Sequence, residues 1–265
     1  MVLFAQEKEV MQYGIQVDYM LTYYPDSNTS DFKIEEMELL LNDKNSLFRA
    51  KKKGIMDSAS YDVKQGISNG LSRSFIQDNL TNIKYQISKK GNDILTQDEY
   101  NLKPDQYLYY IETKDIFSWD IKQDTATIAN MMCQKAELDF GGRHWVAWFT
   151  MEIPISDGPY KFCGLPGLIL SIYDSKNYWK FDFIALANVK RDVVLNYDSQ
   201  KVPHLIEKKD FFKEKRYYID NKMQIEEASG LISFPDEKSR ALSYKVAKER
   251  AQKDNNWIEL YNPKE

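Results

Sequence analysis

Met11, Tyr13, Ile15, Val17, Tyr19, Leu21 and Tyr23 occupy alternate positions, with Gln12, Gln16, Asp18 and Thr22 between them. Side chains of an extended chain point to opposite faces every second residue, so this stretch gathers its apolar groups on one side only as a long, half-buried β-strand. On a helix the same residues would scatter around the whole circumference. Pro25-Asp26-Ser27-Asn28 ends the strand with turn-forming residues.

The same period recurs along the chain. Met37 to Asn42 and Ser46 to Lys51 predict a hairpin around Asp43-Lys44, with a helix as the alternative given the Glu-rich flank. Ser58 to Leu71 predicts a short helix or a loop. Ile83, Tyr85 and Ile87 alternate, and Gly91-Asn92-Asp93 turns them into Ile94-Leu95-Thr96. Tyr107 to Ile111 and Phe117 to Ile121 read as strands. One long strand is expected to carry Ile128, Met132, Ala136, Leu138 and Phe140, followed by a Gly141-Gly142 turn and an aromatic strand from His144 to Thr150. Leu168 to Tyr173 and Tyr178 to Leu186 predict a hairpin across Asp174-Ser175-Lys176-Asn177. Lys208 to Tyr218 and Glu237 to Asp254 read as helices, the second with Leu242, Val246 and Ala247 on its packed side. The expected fold is mainly β or α+β: a curved antiparallel sheet of half-barrel type with a few, mostly C-terminal helices.

Composition narrows the function. Of 265 residues, 43% are hydrophobic and 14% aromatic, enough for a sizeable core in one domain. The net charge is −4, and the one basic run, Lys51-Lys52-Lys53, reads as a solvated loop or strand edge, so no nucleic-acid partner is expected. No apolar run approaches the roughly 18 residues of a membrane-spanning helix. The two histidines, His144 and His204, sit in no zinc-protease, nucleotide-binding or nucleophile-elbow motif. Cys163 with His144 as a thiol pair, or Cys133, Cys163 and His144 as copper or zinc ligands, would lack any recognised spacing, and no cofactor or metal is expected. Cys133 and Cys163 lie on or beside neighbouring strands and are candidates for one disulfide. Met1-Val2-Leu3-Phe4-Ala5-Gln6 is apolar, ends small and turns polar at once, so residues 1–6 read as the tail of a signal peptide and 7–265 as a single β-rich domain.

One segment is distinctive: Gly142-Arg143-His144-Trp145-Val146-Ala147-Trp148-Phe149-Thr150, then Ile153-Pro154-Ile155, Gly158-Pro159-Tyr160-Lys161-Phe162 and Gly164-Leu165-Pro166-Gly167-Leu168-Ile169-Leu170. It resembles the signature of the GLPGLI family of exported Bacteroidetes proteins, as do Cys133-Gln134-Lys135-Ala136 upstream, the Tyr13 to Tyr23 strand and the Asn256-Trp257-Ile258-Glu259-Leu260 ending. Cys163 stands where the family usually carries another residue type. The resemblance implies a periplasmic or secreted protein and assigns no biochemical activity.

Read physically, Gly164, Leu165, Pro166, Gly167, Leu168 and Ile169 are a structural motif. Proline fixes φ, a glycine in left-handed backbone follows in a type II turn, and the chain enters a buried strand. Arg143 reads first as a fixed salt bridge or carbonyl cap, and Trp145 and Trp148 first as core. The same three are the candidates for contact with a ligand. The expected function is non-enzymatic: an envelope binding or carrier protein for an apolar small molecule, lipid or peptide. The alternatives are an interaction protein assembled with outer-membrane machinery and a hydrolase built from scattered residues.

Overall fold

The alternating stretch forms β1 (Glu9–Tyr23), which lies in the middle of a 12-stranded sheet. The computed structural model describes residues 9–98, 106–195 and 202–260, so the expected signal-peptide tail lies outside the described residues. On one side of β1 run β2 (Lys33–Leu41), β3 (Asn45–Ala50), β4 (Gln86–Lys90), β5 (Asp93–Asp98) and β6 (Gln106–Thr113), each antiparallel to the strand before it. On the other side a second meander begins at the far edge: β7 (Asp120–Ile128), β8 (Met131–Phe140), β9 (Arg143–Thr150), β10 (Leu168–Asp174) and β11 (Trp179–Leu195). β1 pairs with β11 from Glu9↔Leu195 to Tyr23↔Trp179 and so joins the two meanders. A short β12 (Val202–Leu205) adds parallel to β6.

Local chemistry sets the turns. Asn42 Oδ1 accepts from the amides of Lys44 and Asn45 at 3.0 and 2.8 Å and closes the β2–β3 hairpin. Gly141 and Gly142, at φ 61° and 74°, make the two-residue β8–β9 turn that matches strand twist. The long strand expected through Ile128 is in fact a hairpin, because Ala129 and Asn130 both adopt left-handed backbone, φ 51° and 62°. Alanine carries no turn signal, so the break was hidden. Nor does Phe117 begin a strand: a 3₁₀ turn at Lys114–Ile116 precedes it, and its ring packs 5.2 Å from that of Phe140.

Among the described residues four α-helices accompany the sheet: α1 (Lys51–Lys64), α2 (Arg73–Asp78), α3 (Lys208–Ala228) and α4 (Glu237–Lys253). The two longest are C-terminal. The lysine run expected in a loop or strand edge forms the first turn of α1. It is drawn there by charge: Lys51 pairs with Asp18 at 3.0 Å, and buried Lys53 pairs with Asp57 at 3.2 Å. Gly54 lets α1 lie close over the fully buried Glu38, which also receives Arg49 at 2.8 Å and Arg191 at 2.5 Å. Leu242 does not pack as expected. α4 buries only Ala251, and Leu242 is 61% exposed. Among the described residues no helix is long and apolar enough to cross a membrane.

The main core joins both meanders. Val17, Tyr19 and Leu21 of β1 meet Leu39 and Phe48 from one side and Trp145, Phe149 and Ile172 from the other. Cys133 and Cys163 belong to this core as free, buried thiols, so the bridge considered between them is not formed. Burial raises the pKa of each. A buried, protonated thiol is a poor nucleophile. Both should therefore react with a thiol reagent such as DTNB only after denaturation. Rapid labelling of the folded protein would contradict this packing.

Candidate functional site

The chain between β9 and β10 turns inward. Asp157 to Cys163 is irregular backbone, yet every one of these residues is buried. Buried backbone must find partners for its polar groups. Here they come from side chains. Asp157 Oδ1 accepts from the Gly158 amide at 2.7 Å, and Oδ2 accepts from the Ser46 hydroxyl at 2.6 Å. Lys89, almost fully buried on β4, pairs with Asp157 and donates to the Gly158 and Phe162 carbonyls at 3.1 and 3.3 Å. Trp119 Nε1 donates to the Cys163 carbonyl at 2.8 Å. Phe162 then sits among Phe117, Phe140, Trp145 and Tyr160, with ring centroids 4.7 to 6.0 Å away. The segment is a plug filling the space within the sheet.

The Gly-Leu-Pro-Gly stretch closes the plug by a route the sequence did not suggest. Left-handed backbone falls at Gly164, φ 93°, and not at Gly167. Gly167 is required for a different reason: a Cβ there would stand 2.0 Å from the Thr150 carbonyl oxygen. Leu165, Leu168 and Ile169 are buried, while Pro166 faces outward. The Tyr19 hydroxyl donates to the Ile169 carbonyl at 2.9 Å and ties this strand to β1.

A second polar cluster locks the plug to the C-terminal segment. Lys161, fully buried, donates to the Tyr110 hydroxyl at 2.7 Å and pairs with Glu112 at 2.5 Å and with Glu259. Lys208 of α3 pairs with Glu112 and Glu259, each at 2.6 Å. Tyr160, itself at φ 55°, donates to Glu259 at 2.5 Å. Burial pushes the Glu259 carboxyl up, but Lys161 and Lys208 outweigh it and hold it at about 2. Burial raises Tyr110 and Tyr160 well above the ordinary phenol range, with Glu259 adding to the effect.

Arg143 fastens the same segment. It pairs with Asp174 at 2.9 Å, donates to Asn256 Oδ1 at 2.6 Å, and reaches the carbonyls of Trp257 and Ile258 at 2.5 and 3.0 Å. The Leu260 amide donates to the Gly141 carbonyl at 2.8 Å, and a Cβ on Gly141 would collide with Glu259. Residues 256–260 are thus a strap held by the Gly-Gly-Arg turn and the plug.

Of the three residues nominated for ligand contact, Arg143 is consumed by the strap and Trp145 is fully buried, donating to the Phe140 carbonyl at 3.0 Å. Only Trp148 is part-exposed, packed at the margin of the main core in register with Lys135 and Ser171. His144 lies on the surface against Asp139 at 2.8 Å, away from the buried thiols. No group of three or more His, Cys, Asp or Glu with metal-binding geometry occurs among the described residues. Lys89, Lys161 and Glu259 were missed from sequence, since nothing local marks a lysine whose partners lie dozens of positions away.

A curved, open antiparallel sheet plugged by its own β9–β10 loop is therefore the class of structure. A family described as a protein of unknown function (Porph_ging) matches residues 142–171, which spans the second glycine of the turn, β9, the whole plug and the start of β10. Two solved structures of PNGF-II, in C2 and P21 crystal forms, are similar in fold with TM-scores of 0.50 and 0.49, each at 10% identity over 76% of this chain. The chain spans about a third (32%) of the PNGF-II chain. No curated protein matches.

Three outcomes follow. Gly167→Ala should destabilise by about 1–3 kcal/mol through overpacking, whereas Gly14→Ala, with nothing within 4 Å of the new Cβ, should change stability by under about 0.5 kcal/mol in urea melts. Glu259 is the stronger acid when folded, so its stabilisation is present above the ordinary carboxylate pKa of 4.5 and is lost as pH falls toward 2. Glu259→Gln should flatten stability against pH in that window. Lys161→Met should cost about 3–5 kcal/mol at neutral pH.

Proposed function

We propose that this chain is an exported, periplasmic or secreted member of the GLPGLI family and that it binds an extended peptide by strand addition. The family assignment rests on the signature from Cys133 to Asp174 and is supported by the match over residues 142–171. A binding role is favoured over catalysis because the signature's Arg143, Trp145 and Lys161, with Glu259 of the C-terminal strap, are committed to internal contacts.

One observation carries the peptide reading. β11 pairs with β1 along its whole length but with β10 only from Ser171↔Asp182 to Tyr173↔Lys180. From Phe183 onward its other edge has no partner strand among the described residues. Ile184 to Asn188 are exposed on both faces, with Ile184 at 45% and Leu186 at 36%. Natural edge strands are usually guarded by charge, proline or a covering element. Ile184-Ala185-Leu186-Ala187-Asn188 contains neither a charge nor a proline. Its free amides and carbonyls would give affinity, and its alternating apolar side chains would select apolar partners.

Arrays of ten-residue peptides provide the test. Sequences with alternating apolar residues should bind, and Ile184→Glu with Leu186→Glu should weaken binding at least tenfold. Both sites are exposed, so stability should change by less than about 0.5 kcal/mol each. Absence of peptide binding, or binding indifferent to both substitutions, would remove strand addition from consideration.

A further inference from the structure

The helical hairpin of α3 and α4 packs on β6 through the first half of α3, leaves its far end away from the sheet, and carries a positive charge on α4 that the rest of the chain lacks. α3 buries Phe211, Phe212 and Tyr218, all in its first half, and α4 buries only Ala251, in its last turn. The connecting residues 229–236 are therefore the end farthest from the body. α4 has six basic residues (Lys238, Arg240, Lys245, Lys248, Arg250 and Lys253) against Glu237 and Glu249, a net of +4 in a chain whose total is −4.

The acids nearest the tip have partners within the hairpin, Glu237 lying 3.4 Å from Arg240. Glu227 takes Arg240 at 2.8 Å and the Tyr244 hydroxyl at 2.5 Å. Glu226 takes the Tyr218 hydroxyl at 2.9 Å and lies 3.9 Å from Lys222. Asp236 caps α4 through the Ser239 amide at 2.7 Å. Lys238, Lys245 and Lys248 have no carboxylate within ion-pairing distance among the described residues. Helical spacing places them on the same exposed stripe as Leu242, beside the exposed Glu249. Leu231, at the tip, is 55% exposed and Leu242 is 61% exposed.

We propose that this hairpin docks on an anionic lipid surface, with Leu231 and Leu242 entering the interface and Lys238, Lys245 and Lys248 meeting the headgroups. The charge complementarity lies in α4, since the remainder of the chain is net acidic. Lysine stems lie along apolar surface while their ammonium groups stay in water, so the lysines supply the attraction and the two exposed leucines beside them add a small apolar contact. An acidic protein partner would satisfy the lysines and leave no general reason for a leucine projecting from the tip.

Sedimentation with vesicles tests this directly. The full chain should bind vesicles of equal phosphatidylcholine and phosphatidylglycerol at low salt and should not bind pure phosphatidylcholine. Each lysine contributes roughly fivefold, so the combined Lys238→Glu, Lys245→Glu and Lys248→Glu variant should lose at least tenfold. A Leu231→Ser, Leu242→Ser variant should also weaken binding and increase its sensitivity to salt. Circular dichroism checks that both variants remain folded. The proposal is overturned by failure to bind the anionic vesicles, by equal binding to both lipids, by binding that survives the lysine reversals, or by binding to polyglutamate without binding to vesicles.

Discussion

The Lys89–Asp157 pair supports most of what is unusual in this structure. Irregular backbone can enter a protein interior only if its amides and carbonyls are met there. Asp157 satisfies the amide that follows it, and Lys89 satisfies two carbonyls while neutralising Asp157. With the plug in place, Phe162 has its aromatic surround and Lys161 is brought to Glu259. Arg143 then completes the hold on the strap. Removing one charge of a buried pair leaves the other uncompensated, so this sequence of contacts stands or falls largely together.

The sheet was legible because its rules are local. Period-two alternation gave β1, and the Asp43-Lys44, Gly91-Asn92 and Gly141-Gly142 turns gave three hairpins. Where a local rule was bent, reading failed: Ala129 takes a conformation normally left to glycine or asparagine, and a lysine run opens a helix. Pro166-Gly167 was recognised as structural, but its reason was a carbonyl approaching from β9 and no feature of the turn itself. The polar cluster was invisible because Lys161 and Glu259 are 98 positions apart. Arg143 was legible as a carbonyl cap, although the carbonyls it caps were not.

The residues that make the sequence distinctive and those free to meet another molecule are largely different sets. Those around Arg143 and Lys161 face inward, and their chemistry is spent on holding a loop and a strap. Unsatisfied capacity lies elsewhere, on the bare stretch of β11 and the lysine stripe of α4. A functional search guided only by the signature would therefore concentrate on the part of the molecule least accessible to a partner.

The pairing of β1 with β11 also sets the order in which the chain can assemble. The meander from β1 to β6 needs only neighbouring segments, and so does that from β7 to β11, but their junction needs residues near 9 and 195 together. Contacts between such distant segments close slowly, because loop entropy is lost before any stabilisation is gained. A chain emerging from its N-terminus must hold β1 with one edge unpaired until β11 is synthesised, and it cannot fasten its strap until residues 256–260 appear. During that interval the apolar face of β1 and its open edge are exposed to other nascent chains. The first half is therefore the part of the chain whose apolar face stays uncovered longest.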